Sequence, residues 1–456
     1  MAETISLEPG EIGSAQAAGG SVCSVCGRGR QESVPISSLD EELQAIIAAN
    51  SPAGRVVSDV CPRCVELFRR AQVQLHADAV VFEQGGRVLP TYMRLGADPR
   101  FTGRGVTIAF LDSGFYAHPD LTTPRNRILA YHSIVRDDPS TLKTTDVASW
   151  HGMMTSVVAA GNGSLSQGFY RGIAPEANVV LVKLAKTGRI SEANIREGLE
   201  WVLAHKDEYG IRVVNISAGG DYEQSYLKNK LSQTVERVVR EGLAVVCAVG
   251  NAGMVPGHPV LPPASSPSSI AVGGLDDQNS LDRARRGMYR SSYGPTADGL
   301  QKPEIIAPGI WIAAPILPHT PTAAEAELYA KLDRATDDEL KPMIEAHTDV
   351  DKDLTGSLDL PTPLLRHLIS IKLHEADVIS ESYKYVDGTS FSAPIVSSIA
   401  ACMLEANPDL TPQQIKRILI DTSERLPGIE IDRQGWGVVN AGRAVELALA
   451  LRPVAT

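Results

Sequence analysis

The chain has no excess of positive charge: among 456 residues it carries 43 Lys or Arg against 54 Asp or Glu, a formal net charge of −11. That balance excludes a protein whose main task is gripping nucleic-acid phosphates, which needs a basic surface. No run approaches the roughly 18 to 20 apolar residues of a membrane span. The opening MAETISLEPGEIGSAQAAGGSVCSVCGRGR is acidic and lacks the apolar segment of a secretory signal. Cysteine is scarce, with 6 in all. Cys247 (AVVCAVG) and Cys402 (IAACMLEA) lie in apolar stretches and read as small core residues. The other four form two pairs, Cys23-x2-Cys26 and Cys61-x2-Cys64. Without a signal peptide, disulfides are not expected and such pairs read as metal ligands. These features together predict a soluble, cytoplasmic protein with a thiolate metal site.

What is present supports a large core: 43% of residues are hydrophobic and 21% charged, which excludes wholesale disorder. At about 150 residues per domain the length predicts two or three domains. Residues 1–20 are Gly-, Ala- and Ser-rich and read as a flexible tail, and 21–72 hold the cysteine pairs. Between the pairs, SSLDEELQAIIAAN has a Ser/Asp start and apolar spacing at Leu43, Ile46 and Ile47, which predicts a short helix. VELFRRAQVQLHA, after Cys64, reads as a second. Residues 73–98 are a connector, and a larger domain is expected over 99–456.

In that larger domain GVTIAFLD, NVVLVKLA, IRVVNIS, LAVVCAVG and SSIAVGGL are continuous apolar runs, the mark of strands buried on both faces. Helical stretches such as SEANIREGLEWVLAHKDEYG separate them, so the expected architecture is α/β, a parallel sheet with helices on both faces. The rhythm breaks at residues 318–382, which are charged, helical and strandless and read as an insertion.

Four motifs fall at the ends of these elements: Asp112 in FLDSGFYAHPDL, His151 in SWHGMMTSVVAAG, Asn251 in CAVGNAG and Ser390 in DGTSFSAP. Singly, each has a plain structural role as turn former, lone core histidine, turn or helix cap. Jointly they supply a carboxylate, an imidazole, an amide donor and a hydroxyl at the edge where open α/β sheets bind ligands. A serine hydroxyl needs a base to become a nucleophile, histidine serves near neutral pH, and a carboxylate fixes its tautomer. A preorganised amide stabilises the oxyanion that develops.

These motifs resemble the subtilases, the subtilisin-like serine peptidases. The resemblance rests on DSG with HPDL, HG opening a helix, GIAPEANVVLVKL, NISAGG, AVGNAG, PASSPSSIAVGG, SSYGPTADGLQKPEIIAPG and GTSFSAP, in the family's order, over residues 105–315 and 385–445. It implies a subtilisin-like fold, Ser390 as nucleophile, His151 as base and acid, Asp112 as its orienter and Asn251 as oxyanion donor. It also implies that Ser217, Ala218 and Gly219, in the strand running to Gly220, pair with the substrate backbone. The related sedolisins have a glutamate where this chain has His151. Met153 stands where the family usually has Thr, Ala218 replaces a more common Leu, and the 318–382 insertion is positioned to cover or gate the cleft. The apolar strand 247–250 would line part of the pocket before the scissile bond, leaning toward non-basic residues.

CSVCGR and CPRCVELFRRA resemble the zinc-binding domain of the ClpX unfoldase, although 34 residues separate the pairs. That implies structural zinc on Cys23, Cys26, Cys61 and Cys64, serving as a folding staple or as a docking module for a regulatory or adaptor protein. Arg28, Arg30, Arg69 and Arg70 form only a modest basic cluster, so nucleic acid is a weaker option. Asp120, in HPDL, matches a position that ligates calcium in many subtilases. The stretch RVLPTYMRL is extended and apolar enough to lie along Ser217–Gly220 as an inhibitory, zymogen-like segment. The reading is thus a cytoplasmic serine endopeptidase acting on proteins or peptides. The alternative is a catalytically silent subtilase acting as a scaffold through its zinc domain, and an esterase or ligase would use the same nucleophile.

Overall fold

The structure is a computed structural model that describes residues 23, 25, 32–49, 57–62, 64–66, 68–69, 88–146, 148–186 and 189–452. The chain divides into two compact units, one of residues 1–81 with 166–169, the other of 82–165 with 170–456. In the first, Val34–Pro35 pairs antiparallel with Asp59–Val60. The helix expected between the cysteine pairs is present at Glu41–Ala49, buries Leu43 and Ile47, and begins where the Asp40 carboxylate accepts the Leu43 N–H at 2.9 Å.

The second unit is built on seven parallel strands: β1 (Thr107–Asp112), β2 (Ile128–Ser133), β3 (Asn178–Lys183), β4 (Ile211–Ile216), β5 (Ala244–Ala248), β6 (Ile270–Asp276) and β7 (Ile305–Pro308). Their order is β7-β6-β5-β4-β1-β3-β2, and Gly287–Met288 pairs antiparallel onto β6. The strands read as unbroken apolar runs because alternate residues serve two cores. Ile108 and Phe110 of β1, with Val179 and Leu181 of β3, face the helices α1 (Ser149–Ala160), α7 (Thr389–Ala406), α8 (Pro412–Thr422) and α9 (Ala441–Ala450). Ala109, Leu111, Val180 and Val182 face α2 (Glu192–Tyr209) and α3 (Lys230–Arg240). α7 is long and apolar enough to cross a membrane by length and composition, which the strand-centred sequence reading missed; 89% of it is buried inside the protein.

The 318–382 insertion is helical, with α4 (Pro321–Arg334), α5 (Asp337–Glu345) and α6 (Thr362–Glu375). It encloses its own core of Leu328, Leu332, Leu340, Ile344, Leu365 and Ile369. Its two ends are joined by an antiparallel ribbon, β8 (Ile312–Pro315) with β9 (Tyr383–Val386), so the insertion is a lobe on a two-stranded stem. The stem leads directly into Gly388–Ser390.

The segment expected along Ser217–Gly220 sits elsewhere. Val88–Leu95 is buried in the second unit, where the Leu89 N–H donates to Asn279 at 2.7 Å and Arg94 pairs with Asp277 at 2.6 Å. Arg94 also donates to the Trp311 and Ile310 carbonyls. Its apolar residues fill the core rather than the substrate strand, because Arg94 finds a buried carboxylate there; the remainder of 73–98 lies outside the described residues.

Candidate active site

Asp112 ends β1, 1% exposed, and His151 is the third residue of α1. The two meet because the helix start packs against the turn after β1. A Cβ on Gly152 would lie 2.1 Å from the Gly114 carbonyl oxygen, so only glycine permits this approach. Lys183, at the end of the neighbouring β3, holds the Asp146 carboxylate at 3.1 Å. Asp146 in turn accepts the Ala148 N–H from its side chain and the Ser149 N–H from its carbonyl, which fixes the helix start.

His151 Nδ1 lies 2.8 Å from Asp112 Oδ1. The same carboxylate accepts the Ser113 N–H at 2.7 Å, and its Oδ2 accepts the Thr155 hydroxyl at 3.1 Å. Burial pulls the His151 pKa down, but the Asp112 charge and hydrogen bond outweigh it, and the imidazole stands above its ordinary value. The Trp150 ring meets the imidazole edge-on at 5.2 Å, and the Phe391 ring lies 5.9 Å away.

Ser390 is the second residue of α7, half-buried, after Gly388 at φ 129°, a left-handed conformation that favours glycine. Pro394 stands four residues further on inside the helix and has no N–H to give the Ser390 carbonyl. Ser217 Oγ supplies the missing donor at 2.8 Å, and Asn215 Nδ2 supports Ser217 Oγ at 3.0 Å. Asn251 Oδ1 accepts both the N–H (2.9 Å) and the hydroxyl (3.0 Å) of Thr389. Its Nδ2 is thereby turned toward Gly388, where a Cβ would lie 3.6 Å away. An oriented amide donor thus stands beside the start of α7, whose dipole favours developing negative charge.

Ser217, Ala218 and Gly219 continue β4 beyond the sheet; Gly219 is exposed with open space beside its Cα. The Gly220 N–H donates to the Pro262 carbonyl. Met153 is fully buried in the core behind α1, so the departure from Thr is absorbed by packing. Sequence reasoning missed Ser113, Thr155 and the role of Ser217 Oγ. Thr155 had a signal, four residues after His151 and therefore on the same helix face.

In the N-terminal unit, Cys23, Cys61 and Cys64 are buried with their sulfurs within 4.8 Å of one another, and the Cys61 N–H donates to Cys23 Sγ at 3.3 Å. Three converging thiols fit a soft, tetrahedral metal ion. Cys26 lies outside the described residues. Cys247 and Cys402 are buried core thiols, and burial pushes Cys247 up to about 12.

Comparison with known proteins agrees with this geometry. The subtilase family model matches residues 103–437. Serine protease AprX of Bacillus subtilis is 31% identical over 353 residues, which cover 75% of this chain and 67% of the relative. Subtilisin BL of Lederbergia lenta is 27% identical over 345 residues, 75% of this chain and 91% of the relative. A solved protease from Pseudoalteromonas arctica superposes with TM-score 0.51 at 22% identity over 83% of this chain and 98% of that one, which shows the fold. With most of its length matched by the family model and a relative at 31% identity, the chain belongs to the subtilase family of serine proteases.

Proposed function

We propose that this subtilase is an endopeptidase that cleaves proteins or peptides through an acyl-enzyme on Ser390. The observation that carries the reading is the Asp112–His151 pair at 2.8 Å, set at the sheet edge with an oriented Asn251 amide at the start of α7. His151 Nε2 takes the Ser390 Oγ proton as Oγ attacks the scissile carbonyl carbon. Asp112 holds Nδ1–H and stabilises the imidazolium. Asn251 Nδ2 and the Ser390 N–H donate to the oxyanion. The intermediate collapses, the C–N bond breaks, and the leaving amine takes the proton from His151. Water then attacks the acyl-enzyme with His151 again as base, releasing the acid and restoring Ser390. Ser217–Gly220 serves as the backbone rail for the extended substrate, with open space beside Gly219.

In the same reading Cys23, Cys61 and Cys64, with Cys26 as fourth ligand, hold structural zinc, whose chemistry is to tie the N-terminal unit together. Paired CxxC thiols gathered to hold a metal fit a reducing compartment, so we place the protein in the cytoplasm. The compact N-terminal unit is suited to a regulatory or adaptor role. The test is digestion of β-casein by the full-length chain with products identified by mass. Ser390→Ala is expected to lose at least about 10⁴-fold and Asn251→Ala about 10²- to 10³-fold. Equal cleavage by wild type and Ser390→Ala would sink the reading.

A further inference from the structure

Asp120 is fully buried, eight residues past Asp112 in the single helical turn Pro119–Thr122. The family resemblance assigns this position to calcium, but its surroundings do not fit a cation. Oδ1 accepts the Ser164 hydroxyl at 2.8 Å and the Leu165 N–H at 3.2 Å. Oδ2 accepts the Tyr383 phenol at 2.6 Å. The Asp120 carbonyl accepts Arg127 at 2.6 Å and the Asn162 N–H at 3.0 Å. The Asp120 N–H donates to His118 Nδ1 at 3.2 Å, which sets that ring as an acceptor on this side. His118 is buried, and burial pulls its pKa below the ordinary histidine value. Calcium requires six to eight oxygens presenting lone pairs. Here hydroxyls and N–H groups point their hydrogens at the carboxylate instead.

We propose that Tyr383 takes the place of a bound cation at Asp120, and that this tie makes it a positioning residue for the reaction. Tyr383 opens β9, the strand of the lobe stem that runs on into Gly388 and Ser390. Its phenol therefore joins the segment downstream of Asp112 to the segment upstream of Ser390, 263 residues apart along the chain. The Tyr170 ring, 5.4 Å away, packs against it. The phenol fastens the segment after Asp112 to the stem of the helical lobe, and so couples the lobe's seating to the separation of Asp112 and Ser390. Small misplacements of reacting groups are costly in rate.

The experiment compares full-length wild type, Tyr383→Phe and Asp120→Asn. Thermal midpoints are measured in EDTA and in millimolar calcium, and kcat and KM are measured on a peptide substrate well below the melting range. Calcium is expected to leave the wild-type midpoint unchanged. Tyr383→Phe is expected to lower it by roughly 3 °C and to lower kcat roughly tenfold with KM within about twofold. Calcium that stabilises wild type but not Asp120→Asn would overturn the proposal. So would a Tyr383→Phe variant with an unchanged midpoint, or one with unchanged kcat. The kinetic arm rests on the peptidase reading and the thermal arm does not, so failure of the one is distinguishable from failure of the other.

Discussion

His151 sets the pH dependence at the scale of single residues. The neutral imidazole is the base, and its pKa is raised because Asp112 outweighs burial. Activity is therefore expected to rise with pH through an acid limb centred above the ordinary histidine value of about 6.5. A kcat/KM profile on a small ester or peptide checks this; a limb centred below that value would contradict the pairing. The linkage runs the other way for stability. A raised folded-state pKa favours the protonated fold, so this contribution is full below the unfolded pKa and fades as pH rises through the folded one. Ser217 is the second residue at stake. Ser217→Ala removes the donor to the Ser390 carbonyl and the acceptor for Asn215. It is expected to cost about 1–3 kcal/mol, read as a lower denaturation midpoint, whereas an unchanged midpoint would mean water or another group satisfies that carbonyl. Asp112, His151, Asn251 and Ser390 were legible in the sequence because each closes a local motif at an element end. Ser217 Oγ was not, since its partner, the Ser390 carbonyl, is set by a tertiary contact; Thr155 left only its helical spacing from His151 as a signal, and Ser113 was passed over as the neighbour of Asp112. At Asp120 the family resemblance left calcium and a turn cap both open, and its partner Tyr383 lies at the far end of the segment that broke the βαβ pattern.

Among the elements, α1 matters most, because its docking against the turn after β1 brings imidazole to carboxylate. Gly152→Ala would place a methyl 2.1 Å from the Gly114 oxygen. That backbone cannot yield as a flexible side chain would, so the variant is expected to lose several °C of thermal midpoint and most activity. Full activity in Gly152→Ala would show that the helix can shift without parting His151 from Asp112. The parallel strands were readable because burial on both faces leaves an unbroken apolar signature. The β8–β9 stem was not, because IAAP and YKYV are short and pair across the whole insertion. Val88–Leu95 looked like a free inhibitory strand for want of any sign of Asp277, the buried carboxylate that claims Arg94.

For the whole molecule, the chain joins a subtilase body to a separate cysteine-bearing unit. If three described thiols and Cys26 hold zinc, the purified protein should carry about one zinc per chain by elemental analysis. Cys61→Ser with Cys64→Ser should lower that to near background; retained zinc would place the metal elsewhere. The central claim is an assembled nucleophile at Ser390, and the most direct measurement is fluorophosphonate labelling of the full-length protein followed by intact mass and peptide mapping. One adduct on Ser390, absent in Ser390→Ala and strongly slowed in Asp112→Asn, is the expected result. No adduct on the folded wild-type chain, or one on another residue, would contradict it and favour a silent scaffold.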